Sequence, residues 1–185
     1  MSMSTMKFIQ KPLLFALLLS VVSFVKTVHA SPEKFGANFS FATCVRHAGD
    51  GETLAKLFKK RGVNQLSPKL ADHFLNGNAG KAWSITSPDG QFAVAYRNDG
   101  VCTVFIKKAD AAGFISETNI NLKRITKNVG WSFSPSKVPN FAGKNSLESF
   151  TLVASSKDDR KINIILSATY LTTGNYQVAL SSNVL

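Results

Sequence analysis

Histidine, cysteine and acid are all scarce in this chain. Its 185 residues hold three His, two Cys and 11 Asp+Glu, set against 22 Lys+Arg. A serine nucleophile on an exposed elbow needs a G-x-S-x-G turn, and the sequence has none. A structural zinc site needs four ligands at close spacing, and neither C-x-x-C nor H-x-x-x-H occurs. No catalytic residue, metal or cofactor is therefore expected, and the chain reads as non-enzymatic. Repeats and low-complexity tracts are also missing. With 44% hydrophobic and 18% charged residues the composition is that of an ordinary globular chain.

Only one long apolar run is present, and it lies near the start. Lys7 and Lys11 precede Leu13 to Val25, and Val28-His29-Ala30 follows with short residues at the positions a signal peptidase reads. A basic start, an apolar middle and a small-residue end are the three parts of a secretory signal peptide. The run is 13 residues long. A comfortable bilayer crossing needs about 20, which disfavours the alternative of an uncleaved anchor. Residues 1–30 are read as the signal peptide, with cleavage near Ala30, and 31–185 as a single exported α+β domain. Periplasmic or secreted localisation follows, with no transmembrane span in the mature chain. Cleavage removes Lys7, Lys11 and Lys26 and no acid, so the formal charge falls from +11 to +8.

The two cysteines, Cys44 and Cys102, both lie in the mature part. In an oxidising compartment a lone pair is expected to join. Closing so long a loop stabilises a fold by about 4 kcal/mol in the chain-entropy model, less any strain. The competing reading is a reactive thiol, since His47 follows Cys44 by three residues.

The mature chain divides by its hydrophobic period. Ser31 to Ser40 has no clear period, and Phe39 and Phe41 alternate with Ser40 as a short strand or as an anchor onto the core. An exposed Phe39–Phe41 pair would suit docking on a neighbouring sheet edge, the mark of an accessory component of a secretion or surface assembly. A first helix is predicted after Asp50 or Thr53, with Leu54, Leu57 and Phe58 on one face and Gly62 as its stop. A second starts at Ser67-Pro68, carries Leu70, Ala71, Phe74 and Leu75, and ends at Asn76-Gly77. The period then changes to two. Turn signals at Ser87 to Gly90 and Asn98 to Gly100 bracket Gln91–Arg97, and Val101–Ile106 is its hairpin partner. Ala109 to Val129 predicts a third helix. Strands are expected at Trp131–Ser134, Leu147–Ser155, Lys161–Leu171 and Tyr176–Leu185. The fold class is therefore α+β: N-terminal helices, then hairpin, helix and antiparallel meander. The simplest form is a single antiparallel sheet with helices on one face, an element order that resembles profilin-like and PAS-like scaffolds and carries no function with it.

Few residues suggest chemistry. His47, Asp50 and Glu52 form the only dense polar cluster, a weak candidate for an unrecognised hydrolase or metal site. His73 reads as a partly exposed helical histidine. Gly77-Asn78-Ala79-Gly80-Lys81 has the wrong spacing for a phosphate loop and reads as a helix-to-strand connection. Glu117 and Glu148 read as surface charges. The basic residues are dispersed among Lys59–Arg61, Lys107-Lys108, Lys123-Arg124 and Lys157 with Arg160-Lys161. Nucleic acid is not the expected partner, because aromatics are not interleaved with these bases on one face. An envelope protein or an anionic envelope polymer is, since a basic domain is drawn to anions with salt-sensitive strength.

One stretch carries a resemblance. His73-Phe74-Leu75-Asn76-Gly77, then Gly80-Lys81-Ala82-Trp83, then Arg97-Asn98-Asp99-Gly100-Val101-Cys102-Thr103-Val104-Phe105 and Ala109-Asp110-Ala111 form a pattern. It reads F-L-x-G-x-x-G-x-A-W, R-x-D-G-V-C-x-V-F and A-D-A. It resembles a family of small exported proteins and lipoproteins of Gram-negative bacteria without an assigned function. The resemblance covers about a third of the mature chain and implies export, a disulfide from Cys44 to Cys102, and an α+β fold. It implies no catalytic residue. This sequence lacks the lipidation Cys of the lipoprotein members.

Overall fold

The computed structural model describes residues 30–129, 131–136, 147–155, 161–169 and 176–185. Among these residues four α-helices and eight strands follow one another, with a π-helical turn after the first helix. They are α1 (Pro32–Ser40), α2 (Gly51–Lys60), β1 (Asn64–Gln65), α3 (Pro68–Leu75), β2 (Gly80–Ser87), β3 (Gly90–Arg97), β4 (Cys102–Lys107), α4 (Ala111–Val129), β5 (Ser132–Ser136), β6 (Leu147–Ser155), β7 (Lys161–Thr169) and β8 (Val178–Val184). Every strand pair is antiparallel, in one sheet of order β1-β2-β3-β4-β8-β7-β6-β5. The α+β class and the single antiparallel sheet are as the sequence predicts. Each half of the chain is a helical segment followed by an antiparallel meander. The halves meet through their last strands, β4 and β8, and α1 lies beside α4.

The leader is helical, not extended. Ser31 caps α1 by accepting from the Lys34 amide at 3.4 Å, and Pro32 occupies the first turn. Helical spacing puts Phe35 and Phe39 on one side, where they stack at 5.8 Å between centroids. Phe35 meets Phe92 at 4.9 Å, and Phe39 lies 6.4 Å from Phe58. Phe39 and Phe41 are thus packed against the core. The pair expected to be exposed is therefore only partly so, and its anchoring onto the core is the arrangement the structure shows. Gly36 lets α1 approach β4 closely, since a Cβ there would run into the Ile106 side chain.

A π-helical turn, Phe41–Val45, continues α1, with the Arg46 amide donating to the Phe41 carbonyl at 3.1 Å. The wider turn points three successive residues, Thr43, Cys44 and Val45, into the interior. Cys44 is joined there to Cys102 on β4, and both are fully buried. The disulfide reading is the one the structure shows, and Cys44 is not a free thiol.

Alternation along the strands divides the sheet into two faces. Phe92 and Val94, then Val104 and Ile106, then Ile162 and Ile164, then Val178 and Leu180 all point one way and are at most 2% exposed. The π turn, α1, α2 and α4 cover this face, with Leu54, Phe58, Phe114 and Leu122 filling the interior. Phe58 meets Trp83 edge-on at 5.1 Å. The second face differs from the expectation that all helices share one side. There α3 packs Ala71 and Leu75 against Ala82 and Ala95. Small residues on β2 and β3 let a short helix sit close, and Gly80 is required because a Cβ would strike the Tyr96 carbonyl, Leu75 and Arg97.

Candidate functional site

The residues singled out by sequence are put to local structural use. Asp50 caps α2, its carboxylate accepting from the Thr53 amide at 3.0 Å, and that bond holds its pKa below the usual carboxylate range. Glu52 and Lys56 form an exposed i,i+4 pair at 3.8 Å, which contributes little. His47 lies in the turn before α2, where burial and the neighbouring Arg46 charge lower its pKa. Among the described residues no group of three or more His, Cys, Asp or Glu side chains is placed to hold a metal ion. Gly77 to Lys81 is a helix-to-strand connection, as read. The Asn78 amide nitrogen donates to the Leu75 and Asn76 carbonyls at 2.8 and 3.1 Å, and Asn76 ends α3 in the left-handed region at φ 50°. Glu117 is half-buried on α4, and the Glu148 side chain lies outside the described residues.

A second depression lies beside the His47 turn, lined by Gly49, Gly51, Lys81, Tyr96 and Asp99. Burial raises the Tyr96 hydroxyl pKa, and the Gly51 and Gly49 amides that donate to its oxygen pull the other way. The hydroxyl thereby faces the turn that leads into α2. Arg97 and Asp99 pair across the β3–β4 turn.

A concavity larger than the one at Tyr96 lies on the second face, and two of its rings, Phe74 and Phe105, belong to the F-L-x-G and V-C-x-V-F segments of the sequence. It is a groove of about 750 Å³ between α3 and strands β4 and β8. Phe74 from α3, Phe105 from β4 and Tyr176, two residues before β8, form its aromatic floor. Phe74 is 5.3 Å from both Phe105 and Tyr176, and those two are 5.9 Å apart. Leu66 and Leu70 make one wall, and Leu70 is 52% exposed. Among the described residues, His73 and Lys107 are the cationic side chains of the lining, and no Asp or Glu belongs to it. Burial raises the Tyr176 hydroxyl pKa, so the phenol is neutral at physiological pH.

The fold explains the opening. α3 covers β2 and β3, and its Phe74 reaches Phe105 on β4. Beyond it the face carries Thr103, Ser181, Ser167 and Ala179, all half-exposed. Thr103 and Ser181 pair their hydroxyls at 2.8 Å across the β4–β8 seam. His73, expected as a partly exposed helical residue, is exposed on α3 and faces this groove. A faint signal existed in the sequence. Phe105 is a large apolar residue on the strand parity opposite Val104 and Ile106, on a face otherwise small or polar.

No helix among the described residues is long and apolar enough to cross a membrane. Compared with family models, curated proteins and solved structures, the chain shows no significant match.

Proposed function

We propose that this chain is a non-enzymatic exported domain that binds a component of the cell envelope, and that the groove beside α3 is its binding site. One observation carries the reading. The first face of the sheet is closed by helices, whereas the second holds an aromatic-floored groove with an exposed leucine on its rim. Concave apolar sites of about 300–1,000 Å³ with a few polar groups are where small ligands and anchor side chains bind. The signal-peptide pattern, the disulfide and the basic charge support an envelope address. The resemblance to small exported proteins of Gram-negative bacteria points the same way.

The test compares tagged wild type with Leu70→Asp. Leu70 is exposed, so the substitution should change stability by no more than about 0.5 kcal/mol. Both are recovered from crosslinked intact cells and analysed by mass spectrometry. An envelope component enriched with wild type and lost with the variant is the expected result. Equal recovery of both as free monomers contradicts the reading.

A further inference from the structure

We infer that the ligand of this groove is a single-chain amphiphile with an anionic head, its apolar chain on the Phe74–Phe105–Tyr176 floor and its head at Lys107 and His73; this rests on the groove being the binding site. Three features of the groove select that class. Its floor is three rings with Leu66 and Leu70 beside them, a surface that prefers hydrocarbon. Its basic residues are His73 and Lys107, and among the described residues no carboxylate in the lining opposes them. Its remaining polar groups, the hydroxyls of Ser84 and Ser167, the Gln177 amide and the neutral Tyr176 phenol, can donate to an anionic oxygen.

A neutral hydrocarbon would make no use of the Lys107 ammonium, and a polymer of sugar and phosphate would leave the aromatic floor wet. A chain ending in a carboxylate or phosphate satisfies both ends of the groove. The formal charge of +11 over the whole sequence, or +8 without residues 1–30, favours the approach of such an anion from a distance.

The experiment uses a dansyl-labelled fatty acid as the fluorescent reporter and dodecanoate or dodecanol, below their aggregation thresholds, as competitors. One saturable site per chain is expected, displaced by dodecanoate. An exposed ion pair is worth up to about 1 kcal/mol, so dodecanol should compete about fivefold more weakly than dodecanoate. Lys107→Ala should remove most of that difference, and Lys107→Glu should reverse it. Leu70→Asp should weaken both competitors, with circular dichroism and melting temperature confirming the fold of each variant. Equal competition by acid and alcohol in the wild type overturns the assignment, as does the absence of saturable binding. If the amphiphiles fail while Leu70→Asp still releases an envelope component from cells, the groove is a site for another ligand class. If both fail, the groove is not the site.

Discussion

The two faces of this sheet are made from the same strands and serve different ends. On β4, Cys102, Val104 and Ile106 point to one side and are fully buried, whereas Thr103 and Phe105 point to the other and are half-exposed. The first side carries the disulfide, the phenylalanines of α1 and the long helix α4. The second carries one eight-residue helix, α3, and beside it the groove. Stability is concentrated where the helices lie, which leaves the opposite side free to present rings to another molecule. A fold that closed both sides equally would have no such surface.

The largest expected contrast comes from removing matched rings from the two faces. Phe92→Ala, at a residue 1% exposed, should cost about 3 to 5 kcal/mol, whereas Phe105→Ala on the groove floor should cost under about 2 kcal/mol. Urea denaturation of the pair measures this directly, and equal losses would dissolve the distinction between the faces. Breaking the Cys44–Cys102 bridge acts on the closed face alone. Reduction, or Cys44→Ser with Cys102→Ser, should lower the melting temperature by about 10 °C while leaving the groove's lining in place. Two titratable thiols in the oxidised protein would contradict the bridge.

The smallest effect is acid sensitivity at the turn before α2. Burial depresses the folded pKa of His47 below 6.5, so the unfolded chain binds that proton first. Stability therefore falls as pH drops through about 6.5 and levels off below the folded pKa, because both states are then protonated. The group is mostly solvated, so His47→Gln should flatten the melting temperature by only about 1 °C between pH 7 and pH 5. An unchanged slope would place the acid sensitivity elsewhere.

Much of this fold was legible because the punctuation of the chain is explicit. Ser87-Pro88-Asp89-Gly90 and Asn98-Asp99-Gly100 mark the β2–β3 and β3–β4 turns, and Leu147–Ser155 is a strand with the predicted bounds. Ser67-Pro68 and Asn76-Gly77 frame α3 as read. The leader was harder. Gly36 and Asn38 weaken its helical period, and nothing in Phe41–Val45 announces a π turn. Strand β1, two residues at an edge, has no pattern long enough to detect. That α3 lies opposite the other helices depends on Ala82 and Ala95 sharing a face, a tertiary match that its own stripe does not encode. The groove was less legible still. Its rings come from positions 74, 105 and 176, and only strand pairing and the seating of α3 bring them together. The His47, Asp50 and Glu52 cluster was visible because it is local, and local structure accounts for each member.

The claim that one face holds the fold while the other binds is tested most directly by placing a photoreactive phenylalanine at Leu70 or at Ile120. These are exposed apolar residues on opposite sides, 52% on α3 and 44% on α4. After irradiation of intact cells, adducts are read by mass spectrometry. A discrete adduct from position 70 and none from position 120 is the predicted result. Equal labelling from both positions, or labelling from position 120 alone, would contradict it.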